Sequence, residues 1–351
     1  MGQTLSEPVT TKESATTSNK LFMVGSSCMQ GWRINMEDAH THVLSMPEDS
    51  GTAFFAVYDG HGGAKVSQYA GQHLHITIGK EDSYKVNVEE AMRTGFMTLD
   101  EMMKADDDMK DDMSGTTAVT IIVKNGVIYC ANVGDSRAVI SKNGRAVPLS
   151  YDHKPANENE AKRIVAAGGW VEFNRVNGNL ALSRALGDFA FKRNPKKSPE
   201  EQMVTAFPDV IRMEIDPESH EFILLACDGI WDVMSNQEAV DFVRERVAIG
   251  KPAQTICEEL LSRCLAPDCQ MGGLGCDNMT AVLVLLANGR PLEELTAKCK
   301  QPPEEGVEEE GGNNHEYGTP SASPIDMKDG KGDSGHEDDE EEGPPTEFSA
   351  N

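Results

Sequence analysis

Alternation of apolar and polar positions is clearest between residues 116 and 149. Three apolar segments there, TTAVTIIVK, GVIYCANV and RAVISK, are separated by Asn125-Gly126 and Gly134-Asp135. An Asn-Gly pair between apolar segments favours a tight hairpin, because both turn positions require a positive φ. The pattern therefore predicts an antiparallel meander and not an alternating series of strands and helices.

Further strands and helices are predicted on either side of this meander. FFAVY (54–58) is typical of a strand, and apolar residues at helical spacing follow it. FILLAC (222–227) and MTAVLVLLA (279–287) predict two more strands, and SNQE (235–238) has the pattern of a capping box that opens a helix. Strands from distant parts of the chain, with helices between them, predict one α+β domain in which helices cover sheets.

Charge divides the chain into three parts. The 351 residues carry a net charge of −26, and residues 301–351 contribute −14 of it, from 16 Asp and Glu against 2 Lys. This acidic segment has almost no large apolar residues, so it cannot bury enough surface to fold. We expect a flexible leader over residues 1–20, a globular domain over 21–290 and an acidic, disordered tail over 291–351.

Composition also excludes several classes of protein. So acidic a chain would repel the phosphates of nucleic acid, and no apolar segment approaches the roughly 18 residues of a membrane span. Eight cysteines are scattered, several within apolar segments, which favours reduced thiols in the cytosol or nucleus over a disulfide framework.

The N-terminus carries a specific modification signal. Met1-Gly2-Gln3-Thr4-Leu5-Ser6 fits the pattern for myristoylation of Gly2, and the alternative is a chance match on a flexible leader. A single acyl chain binds membranes only marginally and Lys12 is the only base nearby, so attachment through Gly2 would be reversible. We expect a cytoplasmic monomer that associates with membranes if Gly2 is acylated.

Several apolar strands adjoin a carboxylate. FFAVY leads into Asp59, FILLAC into Asp228 and VIYCANVG into Asp135, while Asp277 precedes MTAVLVLLA. An unpaired carboxylate beside a core is costly, and the nearby Arg and Lys are too few to pair all four. Each aspartate alone is typical of a turn or a helix cap. Together they predict oxygen ligands for Mg²⁺ or Mn²⁺, with water completing the coordination.

These aspartates belong to a series of segments that resembles the type 2C metal-dependent Ser/Thr protein phosphatases. In family order the segments are GWRINMEDAH (31–40), VYDGHGG (57–63), SGTTA (114–118), NVGDSRA (132–138), HKP (153–155), VNGNLALSRALGD (176–188), LACDGIWDVM (225–234) and CDNMTAVLV (276–284). The resemblance spans about residues 25–286, so the domain over 21–290 would be the catalytic domain. The glycine-rich stretch 268–275 is longer than the family pattern leads us to expect.

The resemblance implies both a fold and a metal centre. The fold is a four-layer α-β-β-α sandwich, in which two antiparallel sheets lie face to face, helices flank them, and the metal centre lies at one edge. Asp59 would bridge two Mg²⁺ or Mn²⁺ ions, and the carbonyl of Gly60 would bind one of them. Asp228 and Asp277 would complete the protein ligands of the first ion.

The second ion would lie on Glu37 and Asp38, partly through water. Asp135, together with Asp228, would form a weaker third site. A water between two divalent ions has its pKa lowered towards neutrality and attacks phosphorus in line, so no covalent phosphoenzyme is required.

Arg33 and His61 would complete the active site. The planar guanidinium of Arg33 suits two phosphate oxygens, although an ion pair with Glu37 at i,i+4 is the alternative. His61 would protonate the leaving Ser or Thr alkoxide. The resemblance also implies a flap over 153–188, where we expect Arg184 and Asp188 to be structural. The expected activity is hydrolysis of phosphoserine and phosphothreonine in phosphoproteins.

Other functions fit parts of the sequence less well. The Cys-x5-Arg segment at 257–263 lacks the glycines of a cysteine phosphatase loop and lies in a helical pattern. The acidic segment 106–112 lacks the Gly and Glu of a Ca²⁺-binding EF-hand, and the cysteines before Asp277 include no C-x2-C pair for zinc. A catalytically weak scaffold that recruits basic partners through the acidic tail is the remaining alternative, and the intact candidate ligands argue against it.

Overall fold

The computed structural model describes residues 4–269 and 273–304. Gly2 and most of the predicted acidic tail, from residue 305 onwards, lie outside the described residues. Within the described part, no helix is both long and apolar enough to cross a membrane.

The chain alternates short strands with a few longer helices. The strands are β1 (Thr4–Ser18), β2 (Phe22–Arg33), β3 (Ala39–Val43), β4 (Ala53–Tyr58), β5 (Gly60–His61), β6 (Gly115–Thr116), β7 (Ala118–Lys124), β8 (Val127–Val133), β9 (Arg137–Lys142), β10 (Arg145–Pro148), β11 (Val171–Glu172), β12 (Arg175–Val176), β13 (Leu186–Gly187), β14 (Asp209–Glu214), β15 (His220–Ala226) and β16 (Met279–Leu286). The helices are α1 (Lys65–Lys80), α2 (Val88–Ala105), α3 (Glu158–Ala166), α4 (Asp228–Trp231), α5 (Asn236–Ala248), α6 (Ala253–Cys264) and α7 (Leu292–Cys299).

Two antiparallel sheets form the centre of the domain. One has six strands in the order β1-β2-β16-β15-β9-β10, and the other has five in the order β14-β8-β7-β4-β3. The predicted hairpin between β7 and β8 is present, with positive φ at Asn125 and Gly126. The predicted continuation of that meander into β9 is wrong, because β9 pairs with β15 and β10 in the other sheet. The chain changes sheets at Gly134 and Asp135.

Three apolar cores separate four layers. The core between the sheets includes Phe55, Ile121 and Ile223. A second core packs α1 and α2 against the five-stranded sheet, and a third packs α5 and α6 against the six-stranded sheet. Because each sheet has an apolar core on both of its faces, central strands such as β4 and β16 are continuous runs of buried, mostly apolar residues. The predicted four-layer α-β-β-α arrangement is therefore present.

The N-terminal segment is a strand, so the prediction of a flexible leader over residues 1–20 is wrong. β1 pairs antiparallel with β2, from Thr4 opposite Arg33 to Ser18 opposite Met23. Its side chains are polar and mostly exposed, so the alternation that reveals a half-buried strand is absent. Main-chain pairing at the sheet edge holds it, together with a 3.0 Å hydrogen bond between the hydroxyls of Ser14 and Ser27.

The globular part also continues past the predicted boundary at residue 290. Leu295 and Cys299 of α7 are buried in the core that contains α5. Arg244 of α5 donates hydrogen bonds to the carbonyls of Lys298 (2.9 Å) and Gln301 (2.7 Å). These contacts place residues 291–304 with the compact unit and not with the tail.

One pair of cysteines departs from the predicted reduced state. Cys269 and Cys276 form a disulfide, which packs against Trp32. The other cysteines are free: Cys28, Cys130, Cys227, Cys257, Cys264 and Cys299. Cys269 lies within the glycine-rich stretch 268–275 that departs from the family pattern, and Cys276 directly follows that stretch.

Candidate active site

The predicted aspartates meet at one edge of the sandwich. Asp59 follows β4, Asp135 follows β8, Asp228 opens α4 after β15, and Asp277 precedes β16. Burial raises the pKa of Asp59 well above its usual range, and the nearby charges of these three aspartates and of Asp38 raise it further. The structure therefore brings five of the candidate carboxylates into one cluster.

Asp38 is buried within this cluster, and only one of its two carboxylate oxygens has a hydrogen-bond partner among the described residues. Its Oδ2 accepts a 2.7 Å hydrogen bond from Oγ1 of Thr280, whereas its Oδ1 has no hydrogen-bond partner among the described residues. Burial raises the pKa of Asp38 to about 7; the Thr280 hydrogen bond opposes that rise, and the charge of Asp277 adds to it. An unpartnered, buried carboxylate oxygen fits a position where a hard cation binds.

Gly60 and Glu37 bring two backbone segments into contact. A Cβ on Gly60 would lie 2.1 Å from the carbonyl oxygen of Glu37, so only glycine allows this approach. Ser67 donates to the same carbonyl through its hydroxyl, and Oδ1 of Asn278 accepts from the Glu37 N–H at 2.9 Å. The Asn278 amide also donates to two carbonyls in residues 30–35. Asn278 thus holds the segment that carries Glu37, a role that the sequence did not reveal.

Two carboxylates of the cluster are paired with basic side chains. Nη2 of Arg33 lies 2.5 Å from Oδ2 of Asp277, so Arg33 pairs with a candidate ligand instead of Glu37. Nζ of Lys154 donates to Oδ2 of Asp135, which is 5% exposed. Burial lowers the pKa of Lys154, but the adjacent Asp135 charge and hydrogen bond raise it overall. The HKP segment alone did not indicate that Lys154 would pair with Asp135.

The donor set fits Mg²⁺ or Mn²⁺, although the ligands are not fully assembled. Among the residues that the structure describes, no three His, Cys, Asp or Glu side chains form a ready-made metal site. Arg33 and Lys154 each engage one candidate ligand in an ion pair. All candidate ligands are oxygen donors, and burial with mutual repulsion raises the pKa values of Asp59 and Asp228. A divalent cation would relieve that repulsion.

His61 lies at the rim of the cluster, on β5. Its side chain is 28% exposed, and its Nε2 lies 2.7 Å from Oδ2 of Asp188. Burial lowers the pKa of His61, but the adjacent Asp188 carboxylate raises it above the usual value overall. Arg184, the other residue predicted to be structural in the flap, pairs with Glu160 at 2.7 Å and with Asp209 at 2.8 Å.

Comparison with known proteins identifies the family. Residues 22–271 match the family described as Protein phosphatase 2C. The chain belongs to the protein phosphatase 2C family. A probable protein phosphatase 2C of Caenorhabditis elegans is 65% identical over 303 residues, which are 86% of this chain and 85% of that protein. Protein phosphatase 2C homolog 2 of Schizosaccharomyces pombe is 50% identical over 300 residues, 84% of this chain and 81% of its own.

Solved structures share the fold of this phosphatase. A phosphatase from a pathogenic strain of Toxoplasma gondii superposes with a TM-score of 0.68 at 26% identity, covering 79% of this chain and 96% of that one. A sex determining protein of C. elegans gives a TM-score of 0.66 at 27% identity, covering 79% and 67%. The predicted α+β fold is confirmed.

The family fixes the general activity. The chain is a protein serine/threonine phosphatase, a hydrolase whose substrates are phosphoproteins, in a family that generally depends on Mg²⁺ or Mn²⁺. The alternative of a catalytically weak scaffold has no support in these comparisons.

Proposed function

We propose that this phosphatase hydrolyses phosphoserine and phosphothreonine with the help of two Mg²⁺ or Mn²⁺ ions. The observation that carries the proposal is the buried carboxylate cluster around Asp59, with Arg33 and His61 at its rim. One ion would be held by Asp59, Gly60, Asp228 and Asp277, and the second by Asp59, Glu37 and Asp38. When bound, the ions would neutralise the carboxylates and lower the pKa of a coordinated water towards neutrality.

Arg33 would bind the phosphate of the substrate. Its side chain is 39% exposed, so a phosphate can reach it, and its planar guanidinium can donate to two phosphate oxygens. Binding phosphate in this way would draw Arg33 off Asp277, because both anions compete for the same donors. The freed Asp277 carboxylate would then be available as a ligand.

His61 would protonate the leaving group. A serine or threonine alkoxide is a poor leaving group, so a proton donor in the transition state accelerates its departure. The raised pKa of His61, which results from Asp188 outweighing burial, favours the imidazolium form near neutral pH. No covalent intermediate on the protein is needed.

A third, weaker ion on Asp135 and Asp228 would have to compete with Lys154. The ammonium group of Lys154 already neutralises Asp135. We therefore expect this third ion to bind only at metal concentrations well above those that support activity.

The test is phosphate release from a phosphothreonine peptide, with and without metal. We expect EDTA to abolish release, excess Mn²⁺ to restore it, and Asp59→Asn to lower it by at least about a hundredfold. Asp107→Asn is the matched control, because that side chain is 91% exposed on the surface and should leave activity unchanged. Full activity in EDTA, or in the Asp59→Asn protein, would contradict the proposal.

We also propose that Gly2 is myristoylated and that the protein attaches reversibly to membranes from the cytoplasm. The sequence pattern at Gly2 supports this.

A further inference from the structure

We propose that Asp188 is the positioning residue for His61. By accepting a hydrogen bond from Nε2, Asp188 fixes the imidazole ring and leaves Nδ1 as the nitrogen that donates to the leaving group. The inference rests on the proposed function, in which His61 protonates the departing alkoxide. It replaces the purely structural role that the sequence suggested for Asp188.

A small separate sheet sets the distance between the two residues. Its strands lie in the order β13-β6-β5. His61 of β5 lies opposite Gly115 of β6, and Gly115 in turn lies opposite Gly187 of β13, the residue before Asp188. The backbone N–H of Asp188 donates to the carbonyl of Ser114 at 3.2 Å. Main-chain pairing therefore brings together two side chains that are 127 positions apart in the sequence.

Gly115 leaves room for the hydrogen bond between His61 and Asp188. A Cβ at this position would lie 2.2 Å from Oδ2 of Asp188 and 2.6 Å from Nε2 of His61. The need for glycine here arises from the His61–Asp188 contact, since the φ of Gly115 is not positive. A methyl group at residue 115 would separate the pair while both partners remain present.

A second His–Asp pair in the molecule shows what a structural pair looks like. Nε2 of His153 lies 3.0 Å from Oδ2 of Asp209, and its Nδ1 accepts from the N–H of Gly134 at 3.2 Å. Both ring nitrogens are thus used, and the side chain is 5% exposed. By contrast, Nδ1 of His61 makes no hydrogen bond within the described residues, and its side chain is 28% exposed. Of these two paired histidines, His61 is the one that combines a nitrogen bonded to an aspartate with a nitrogen that has no hydrogen-bond partner among the described residues.

The test compares two substrates that differ in their need for a proton. A phosphothreonine peptide releases an alkoxide, whereas p-nitrophenyl phosphate releases a stable phenolate that needs no acid. With saturating Mn²⁺, Asp188→Ala should lower kcat on the peptide by about 10- to 100-fold and change KM and p-nitrophenyl phosphate turnover by less than about threefold. Asp188→Asn, which keeps an oxygen acceptor, should retain more peptide activity than the alanine variant.

Two further variants separate positioning from folding. Gly115→Ala should reproduce the selective loss on the peptide, although His61 and Asp188 are both intact. Asp209→Asn is the matched control and should leave the ratio of the two activities unchanged. In a His61→Gln background, Asp188→Ala should cause no additional loss, because Asp188 acts through His61.

Several results would overturn the inference. These are equal losses on both substrates in Asp188→Ala, no loss on either, or additive losses with His61→Gln. Each leaves the proposed function standing, whereas EDTA-resistant turnover by the unmodified protein would contradict the proposed function itself. If Asp188→Ala fails to fold, the activities of Asp188→Asn and Gly115→Ala on the two substrates are compared instead.

Discussion

Replacing Asp38 by asparagine should stabilise the metal-free protein at alkaline pH. Burial raises the pKa of Asp38 from 3.8 to about 7 in the folded state. A carboxyl with a raised folded-state pKa holds its proton more tightly in the folded than in the unfolded chain. Its contribution to stability is therefore complete below about pH 4 and is lost as the pH rises through about 7.

The size of the effect follows from the two pKa values. The interval between 3.8 and about 7 corresponds to a loss of roughly 4 kcal/mol above the folded-state pKa. At about pH 5 the loss is only roughly 1–2 kcal/mol, because Asp38 is still protonated in the folded protein. Asparagine is the matched neutral replacement, since its carbonyl can still accept the hydrogen bond from Thr280.

Thermal unfolding in EDTA measures this difference. For a domain of this size about 1 kcal/mol corresponds to roughly 2 °C, so Asp38→Asn should raise the Tm by roughly 6–8 °C at about pH 8 and by roughly 3 °C at about pH 5. Added Mg²⁺ should stabilise the unmodified protein more than the variant. Asp107→Asn, at a fully exposed position, should show neither effect. A variant no more stable than the unmodified protein in EDTA at about pH 8 would refute the reasoning.

Three further outcomes test other parts of the structure. Since Asp188 outweighs burial and raises the pKa of His61, peptide hydrolysis should decline only as the pH rises through that raised value. Asp188→Asn should move this alkaline limb of the kcat/KM profile to lower pH. An unmoved limb would show that the Asp188 charge does not set the pKa of the catalytic acid. Arg244→Met should destabilise the fold by about 3–5 kcal/mol in urea unfolding, because it leaves the fully buried Glu221 carboxylate without its 3.1 Å partner; a loss below about 1 kcal/mol would disagree. Gly2→Ala should abolish incorporation of a myristate label in cells, and persistence of the label would refute acylation at Gly2.

The sequence predicted strands and site residues correctly where an apolar segment is directly followed by an unusual polar residue. A continuous apolar run that ends in a carboxylate, as at Asp59 and Asp228, marks both a core strand and an unusual polar position. Local turn chemistry placed the β7–β8 hairpin through Asn125 and Gly126. The same logic could not show that β9 joins the other sheet, because alternation specifies a strand but not its neighbour. It also missed β1, whose polar residues bury little.

Contacts across long sequence separations explain the rest of what was missed. Arg33 and Asp277 are 244 positions apart, and no local pattern predicts that they pair. Lys154 with Asp135, and Asp188 with His61, likewise meet only because the chain changes sheets or forms a small third sheet. The motifs predicted which residues matter, whereas the partners of those residues emerge from the topology.

The partners divide the clustered carboxylates into two kinds. Asp277 forms an ion pair with Arg33, and Asp135 forms one with Lys154. Burial nevertheless raises the pKa of Asp277, although the Arg33 charge opposes that rise. Asp59, Asp228 and Asp38 form no ion pair among the described residues, and burial raises the pKa of each. Metal should therefore displace protons from the clustered carboxylates whose pKa burial raises, and uptake of Mg²⁺ near neutral pH should release protons that a pH indicator detects. Asp38→Asn should lower that release, because asparagine has no proton to give up.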